Sequence, residues 1–311
     1  MIFVKKIKVE YNTEYLNMAH ILRLPKDVLR LILGFVVETR YKLLDWIEPQ
    51  HEKLCGHTLS QNPLAVSFLK RHPEKIYWKL LCQNPGAISF LMEHHQDKID
   101  WGHLCMNPNG VAIIEEQLAA AKRTTKSKQA KYRTRVHWGS LALNPNAFHL
   151  MEQNSEMLCL FVRYLCSYPS AVPFLKAHPE MIDWDTFSKN PSDDAMELMS
   201  QHPDRIHWKS FSKNPSDKAI AFLAANPEKI DWQSLSGNPN PKAVEMIAKK
   251  MEMGEMVDWC ELSQNPNAIE ILKTHPAQIS WYSFSLNPSI FEVDRKGTRD
   301  DVEELHNRLF S

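Results

Sequence analysis

The chain has 311 residues, 43% of them hydrophobic and 24% charged, which is typical of a soluble folded protein larger than a usual single globular core. Lysine plus arginine equals aspartate plus glutamate at 37 each, which excludes a global electrostatic preference for nucleic acid or anionic membranes. No apolar run approaches the ~18 residues that a membrane-spanning helix needs, so we expect no membrane partner.

Residues 1–43 precede the pattern that fills most of the chain, and they contain one amphipathic segment. Pro25 and Asp27 suit the first turn of a helix, and apolar residues then recur at helical spacing up to Val36. The simplest interpretation is a terminal helix that caps an array. The segment also resembles the opening of an F-box, the module that docks substrate receptors to the Skp adaptor of cullin-RING ubiquitin ligases. The resemblance implies adaptor docking through Leu24, Pro25, Val28, Leu29, Ile32 and Leu33.

Residues 44–290 repeat a pattern built on Asn-Pro pairs, with a tryptophan six residues before almost every pair. The pairs begin at Asn62, Asn84, Asn107, Asn144, Asn190, Asn214, Asn238, Asn265 and Asn287. Trp46 opens a stretched first copy, and Tyr168-Pro169 marks a degenerate copy with Val162 in the tryptophan slot. About ten units of 22–24 residues result, and units this short must stack on their neighbours to bury their apolar faces.

Each unit predicts two helices joined by proline-marked corners. Asn62 suits the N-cap and Pro63 the first position of a longer helix, whose inward stripe includes Phe68 and Leu69. That helix must end near His72, because a residue that precedes proline is pushed out of helical geometry. The second proline starts a shorter helix. The sequence therefore predicts an all-α solenoid of about ten two-helix repeats with N- and C-terminal capping helices, the latter over residues 291–311.

One unit is stretched between residues 118 and 137 by a basic insert without acidic residues. The insert contains Lys122, Arg123, Lys126, Lys128, Lys131, Arg133 and Arg135. Such a run suits a solvated loop, and it would also bind phosphate backbone or an acidic protein face with strong salt dependence. Anion binding, including nucleic acid, is therefore an open alternative at these residues.

The recurring tryptophans allow two interpretations. An exposed aromatic row would bind peptides or bases, whereas half-buried indoles would wedge neighbouring units together. We expect half-buried indoles that pack between neighbouring units, because so many exposed indoles would favour aggregation. The structural tryptophans are Trp78, Trp101, Trp138, Trp184, Trp208, Trp232, Trp259 and Trp281.

Catalytic and metal-binding patterns are absent from the sequence. Four histidines recur at the same corner, and Cys82, Cys105 and Cys166 share a slot that serine or alanine fills elsewhere, so the repeat accounts for them. Motifs such as GxSxG, GxxxxGK[ST] and HExxH do not occur. We therefore expect no enzyme, no cofactor and no metal.

The repeated unit, with its Asn-Pro, His-Pro and Ile-Asp-Trp elements, resembles the Asn-Pro repeats found in proteins of large eukaryotic DNA viruses. Its period also resembles that of leucine-rich variant solenoids. The resemblance implies a viral protein that is either virion-associated or directed at the host. We expect a protein-binding solenoid whose partners are capsid components or a host adaptor. Because the N-terminus lacks the apolar stretch of a secretory signal, we expect it in the host cytoplasm or nucleus, or in the virion.

Overall fold

The computed structural model describes residues 37–124 and 135–310, which divide between two compact units. The smaller unit contains two short antiparallel strands, β1 (Tyr41–Leu43) and β2 (Phe291–Val293), followed by a C-terminal helix, α20 (Arg295–Phe310). Ion pairs at 2.9 Å join Arg40 to Asp301 and Lys42 to Glu292. The segment predicted as the C-terminal cap thus forms a strand and a 16-residue helix.

The larger unit, residues 45–290, is the all-α repeat array. Its α-helices are α1 (Gly56–Leu59), α2 (Val66–Arg71), α3 (Trp78–Gln83), α4 (Ile88–His94), α5 (Trp101–Met106), α6 (Val111–Thr124), α7 (Trp138–Leu141), α8 (Phe148–Glu152), α9 (Ser155–Leu165), α10 (Val172–Ala177), α11 (Trp184–Phe187), α12 (Asp193–Gln201), α13 (Trp208–Phe211), α14 (Asp217–Ala225), α15 (Trp232–Ser236), α16 (Pro241–Glu252), α17 (Trp259–Gln264), α18 (Ile269–Thr274) and α19 (Trp281–Phe284). We number the repeats one to ten by their starts at Asn62, Asn84, Asn107, Asn144, Tyr168, Asn190, Asn214, Asn238, Asn265 and Asn287.

A regular repeat contains two α-helices with a three-residue 3₁₀ helix between them. The corner residue before the second proline leaves helical geometry, as at His72 with φ −125° and ψ 64°, and the proline then starts the 3₁₀ helix. A separate short helix begins at the tryptophan, often capped by the preceding aspartate, as where Asp183 accepts a hydrogen bond from the Thr186 amide. These 3₁₀ helices are Pro73–Lys75, Gln96–Lys98, Pro179–Met181, Pro203–Arg205, Pro227–Lys229 and Pro276–Gln278.

The Asn-Pro asparagines form a ladder of hydrogen bonds between repeats. The Asn214 amide nitrogen donates to the carbonyl oxygen of Asn190 at the start of the preceding repeat (2.8 Å) and to that of Ser188 just before it (3.1 Å). The other amide atom, Oδ1, accepts from the Ser216 backbone in its own first turn at 3.0 Å. The Asn-Pro asparagine therefore has two roles. Its oxygen caps its own helix, as predicted, and its nitrogen links the repeat to the chain before it. The ladder asparagines are all buried: Asn62, Asn84, Asn107, Asn144, Asn190, Asn214, Asn238, Asn265 and Asn287.

A second ladder uses the slot two residues before each Asn-Pro pair. The Ser212 hydroxyl donates to the Trp208 carbonyl at 2.9 Å and accepts the Asp231 backbone amide of the next repeat at 3.0 Å. Where cysteine fills the slot, its sulfur accepts instead, as at Cys82 from the Asp100 amide at 3.3 Å. The slot therefore needs a small side chain that also accepts a hydrogen bond.

Both ladders continue from the last repeat to the first, which closes the array into a ring. The Asn62 amide donates to the carbonyls of Ser285 (3.1 Å) and Asn287 (2.9 Å), and the Ser285 hydroxyl accepts the Cys55 amide at 2.8 Å. These are the contacts that consecutive repeats make elsewhere. Residues 45–290 are thus a closed solenoid, and its last repeat packs against its first.

The tenth repeat combines residues from the beginning and the end of the segment 45–290. Its Asn-Pro turn is the 3₁₀ helix Pro288–Ile290, whereas its second half is the 3₁₀ helix Glu48–Lys53 followed by α1. Gly56 occupies the tryptophan slot of this repeat, and Trp46 instead packs against Phe284 with ring centroids 5.9 Å apart. Joining the two chain ends in one repeat ties the ring closed, because neither half can complete the unit alone.

The buried cysteines of the second ladder should be chemically inert. Burial raises the pKa of the Cys166 thiol to about 11, so few of these thiols are ionised at neutral pH. Cys159 is exposed. In the folded protein at pH 8, we expect iodoacetamide to alkylate Cys159 at least ~100-fold faster than Cys166, as measured by peptide mass spectrometry. Equal rates in the folded state would contradict the buried, hydrogen-bonded slot.

Candidate functional site

The residues predicted to dock an adaptor lie outside the described residues. They are Leu24, Pro25, Val28, Leu29, Ile32 and Leu33, all within residues 1–36. The adaptor-docking hypothesis therefore rests on the sequence pattern.

The predicted anion-binding residues fall in three places. Lys126, Lys128, Lys131 and Arg133 lie outside the described residues, and Lys122 and Arg123 belong to the last part of α6. The Arg135 guanidinium lies 5.5 Å from the centre of the Trp101 ring. Arg135 stands three residues before Trp138, a slot in which Arg205 and Lys229 cover Trp184 and Trp208 at 5.6 and 5.5 Å. It therefore packs within the repeat array.

The repeat tryptophans are wedges between neighbouring repeats. Trp138 is buried and the other seven predicted wedges are half-buried, with a cation from the following repeat over several indole faces. In repeat eight, Met256 fills the cation's slot and is 93% exposed, and Lys250 lies 4.3 Å from the Trp232 ring instead. Because cations cover several indole faces, this row of tryptophans is part of the packed repeat array and is not an open binding surface.

The described surface departs most from the repeat at α9, in repeat four. Asn154 makes the usual corner, with φ −130° and ψ 74°, but Ser155 follows it where most regular repeats have proline and repeat two has Gln96. The chain also has two more residues than usual between this corner and the next repeat, as 154 to 168 compares with 178 to 190. One continuous 11-residue helix therefore replaces the 3₁₀ turn, the extended link and the short helix.

This change exposes a side chain that other repeats bury or half-bury. Two residues before the tryptophan slot, residues such as Ile182 and Ile206 are buried and others such as Ile76 are half-buried, whereas Leu160 in the same slot is 63% exposed. Tyr164, one turn later, is 44% exposed. The opposite face of α9 buries Met157, Leu158 and Leu165. Large apolar side chains therefore lie on both sides of the helix, and its outer side is the candidate functional site.

The α9 surface lies beside interruptions of both ladders. Between repeats three and four, Ala142 replaces the accepting serine. Between repeats four and five, Tyr168 replaces the asparagine, so no side-chain amide at this position donates to the Ala142 and Asn144 carbonyls. Ala142 leaves no amide stranded, since the backbone amide that it would accept lies inside α9. Burial raises the pKa of the Tyr168 phenol, which keeps it neutral. We call this boundary between repeats four and five the seam.

The seam should open before the regular boundaries. It lacks the two side-chain bonds that an asparagine would donate, which corresponds to roughly 1–3 kcal/mol of local stability. We expect amides in α9 and α10 to exchange hydrogen about 5–150-fold faster than those in α14 and α16, as measured by hydrogen-deuterium exchange mass spectrometry. Uniform protection around the ring would contradict this weakness.

Two further exposed groups lie elsewhere on the ring. Met253 and Met256 follow α16, and a 280 Å³ cavity beside them is lined by Met251, Gly254, Glu255, Met256, Val257 and Trp259. At the ring closure, exposed Tyr77, His57 and Tyr282 form a row, with ring centroids 5.3 and 6.4 Å apart. Repeat eight also lacks the 3₁₀ helix between its two α-helices, but Val257, in the slot that corresponds to Leu160, stays half-buried there.

Within residues 37–124 and 135–310, no three metal-binding side chains come together as a metal site. Across the same ranges, no helix combines the length and apolarity that crossing a bilayer requires. Comparisons with family models, with curated proteins and with solved structures find no match to this chain. The candidate site therefore rests on the geometry of the ring.

Proposed function

We propose that this chain is a non-enzymatic ring of helical repeats that binds proteins, as a virion-associated or assembly scaffold protein of a large DNA virus. The exposed Leu160 on α9 carries the proposal, because this slot is buried or half-buried in the other repeats and a bound partner would remove this leucine from water. A large exposed side chain beside an aromatic ring is typical of a protein interface.

The viral part of the proposal comes from the repeated unit. Its Asn-Pro and Ile-Asp-Trp elements resemble repeats of large eukaryotic DNA viruses, in which capsid components would be the partners. A closed ring supports a scaffold role, since each repeat is held by two neighbours and presents its surface on a rigid frame.

The test is affinity purification of the tagged full-length chain from assembled particles and from lysate of the producing cells. We compare wild type with Leu160→Asp, and Met256→Asp is the matched control because Met256 is also exposed and apolar. Capsid or assembly proteins that co-purify with wild type and the control, but not with Leu160→Asp, would support the proposal. Equal recovery by all three variants would refute a role for α9.

An alternative function is an adaptor for a host cullin-RING ubiquitin ligase. The observation that favours it is the F-box-like segment from Leu24 to Val36. In the same purification, Skp adaptor and cullin recovered with wild type and lost with Leu29→Asp would support this alternative. Their recovery with Leu29→Asp would rule it out.

A further inference from the structure

The exposed face of α9 has an arrangement that is symmetric along the helix. Its exposed residues form three pairs one turn apart, Ser155 and Glu156, Cys159 and Leu160, and Arg163 and Tyr164. Residues four apart form the ridges that interlock when two helices pack in the commonest crossing class. The centre of this face lies between residues 159 and 160, so its two halves have equal length.

The charges at the two ends of the face are opposite. Glu156 lies one turn before the centre and Arg163 one turn after it, both exposed. Within the described residues, Arg163 forms an ion pair with the carboxylate of Asp183 at 3.9 Å, and the Arg163 side chain remains 65% exposed. In addition, the guanidinium lies 5.6 Å from the centre of the Tyr164 ring. Arg163 is therefore available for a stronger ion pair at the surface.

We propose that the partner at α9 is a second copy of this chain, packed antiparallel about a twofold axis between residues 159 and 160. This rotation places Glu156 of each copy opposite Arg163 of the other and packs the two Leu160 side chains at the centre. The proposal rests on the proposed function, because both use the same helix face.

A second copy fits this surface better than an unrelated protein does. In a twofold interface, residue i contacts residue j and j contacts i, so the surface must be complementary to itself. The face from Ser155 to Tyr164 meets this condition in the spacing of its exposed residues and in charge. The face is smaller than the ~1,600 Å² of a standard interface, so we expect a dissociation constant on the order of 10 µM.

Sedimentation velocity of the full-length chain, over about 1–200 µM, measures the association. We expect Glu156→Arg and Arg163→Glu each to weaken the dimer by about tenfold or more, because each places like charges together twice. The double variant Glu156→Arg/Arg163→Glu should restore wild-type association. Met256→Asp is again the control and should leave association unchanged.

Chemical cross-linking locates the contact independently. Cys159 and Cys260 are both exposed. A bismaleimide that spans the ~8–10 Å between packed helix axes should join Cys159 to Cys159 of the second copy, and should not join the two Cys260 residues. Arg163→Glu should abolish this product.

The outcomes separate this inference from the proposed function. A monomer at every concentration overturns the dimer, while loss of co-purifying proteins with Leu160→Asp would still support protein binding. A dimer that the single charge reversals leave intact also overturns it, because the contact would lie elsewhere. If the double variant fails to restore a dimer that both single variants weaken, antiparallel pairing is wrong.

Discussion

Replacing Asn214 with aspartate is expected to lower the free energy of unfolding by at least ~4 kcal/mol at pH 7. The substitution keeps the shape of the side chain and its bond from the Ser216 amide. It replaces the amide that donates to Ser188 and Asn190, however, with an oxygen that faces two carbonyl oxygens in a buried site. The variant thus loses two hydrogen bonds and gains a buried charge without a partner. Urea unfolding followed by circular dichroism measures the difference.

The loss of unfolding free energy in the Asn214→Asp variant should depend on pH. Burial among acceptors raises the pKa of the introduced carboxyl above the ~3.9 of an unfolded aspartate, so the folded state binds the proton more tightly. The unfolding free energy of the variant, relative to wild type, should therefore increase as the pH falls through the pKa of the folded-state carboxyl. It should stop increasing once the pH is below the pKa of the unfolded-state carboxyl. The protonated carboxyl can donate one of the two lost bonds.

The matched control is Asn226→Asp. Asn226 lies at the corner of the same repeat, where its amide donates to the Phe222 carbonyl in its own helix at 2.8 Å. Because that site is open to water, we expect a loss below ~1 kcal/mol. If the two variants lost similar amounts of unfolding free energy, the hydrogen bonds of the asparagine ladder would not be a main source of the ring's stability.

Replacing residues 45–61 with a Gly/Ser linker of equal length is expected to open the ring. The linker removes the second half of the composite repeat, including Ile47, Leu54 and Leu59, which are fully buried. Each such side chain stabilises the fold by about 1.5–3 kcal/mol, and the closing hydrogen bonds add to this. We expect a loss of about 5–10 kcal/mol, equivalent to a fall of roughly 10–30 °C in the thermal midpoint.

The control replaces residues 125–134 with a Gly/Ser linker of equal length. This segment interrupts repeat three and supplies none of the ladder residues. The thermal midpoint, measured by scanning calorimetry, should stay within about 3 °C of wild type. If the two replacements have the same effect, the composite repeat does not stabilise the ring.

The sequence was sufficient to predict the helices and their stacking. Asn-Pro pairs, corner histidines and the spacing of Phe68 and Leu69 each act locally, so their pattern determines where helices begin, end and bury a face. Closure could not be predicted, because it depends on a small rotation that accumulates over ten repeats. The one available signal was the incomplete first copy, in which Gly56 fills the tryptophan slot.

The α9 surface was missed for a different reason. Val162 and Tyr168 identified a degenerate copy, but the consequence for Leu160 depends on a missing proline after Asn154 and on two extra residues. Those features together allow the helix to continue, and continuation turns the slot outward. The sequence pattern likewise showed that serine recurs in the slot before each Asn-Pro pair, but it did not predict that these hydroxyl groups link successive repeats.

Ring closure is the central claim, and a cysteine pair tests it most directly. His57 and Tyr282 belong to repeats ten and nine, and their ring centroids are 6.4 Å apart. In a Cys159→Ser/Cys260→Ser background, the variant His57→Cys/Tyr282→Cys should be joined by a bismaleimide that spans ~8–10 Å, as identified by peptide mass spectrometry. The pair His57→Cys/Asp185→Cys, with the second cysteine at the matching position of repeat five, should not be joined. In an open solenoid, residues 57 and 282 would lie tens of ångströms apart at ~8–10 Å per repeat, so absence of the 57–282 cross-link in the folded protein would contradict closure.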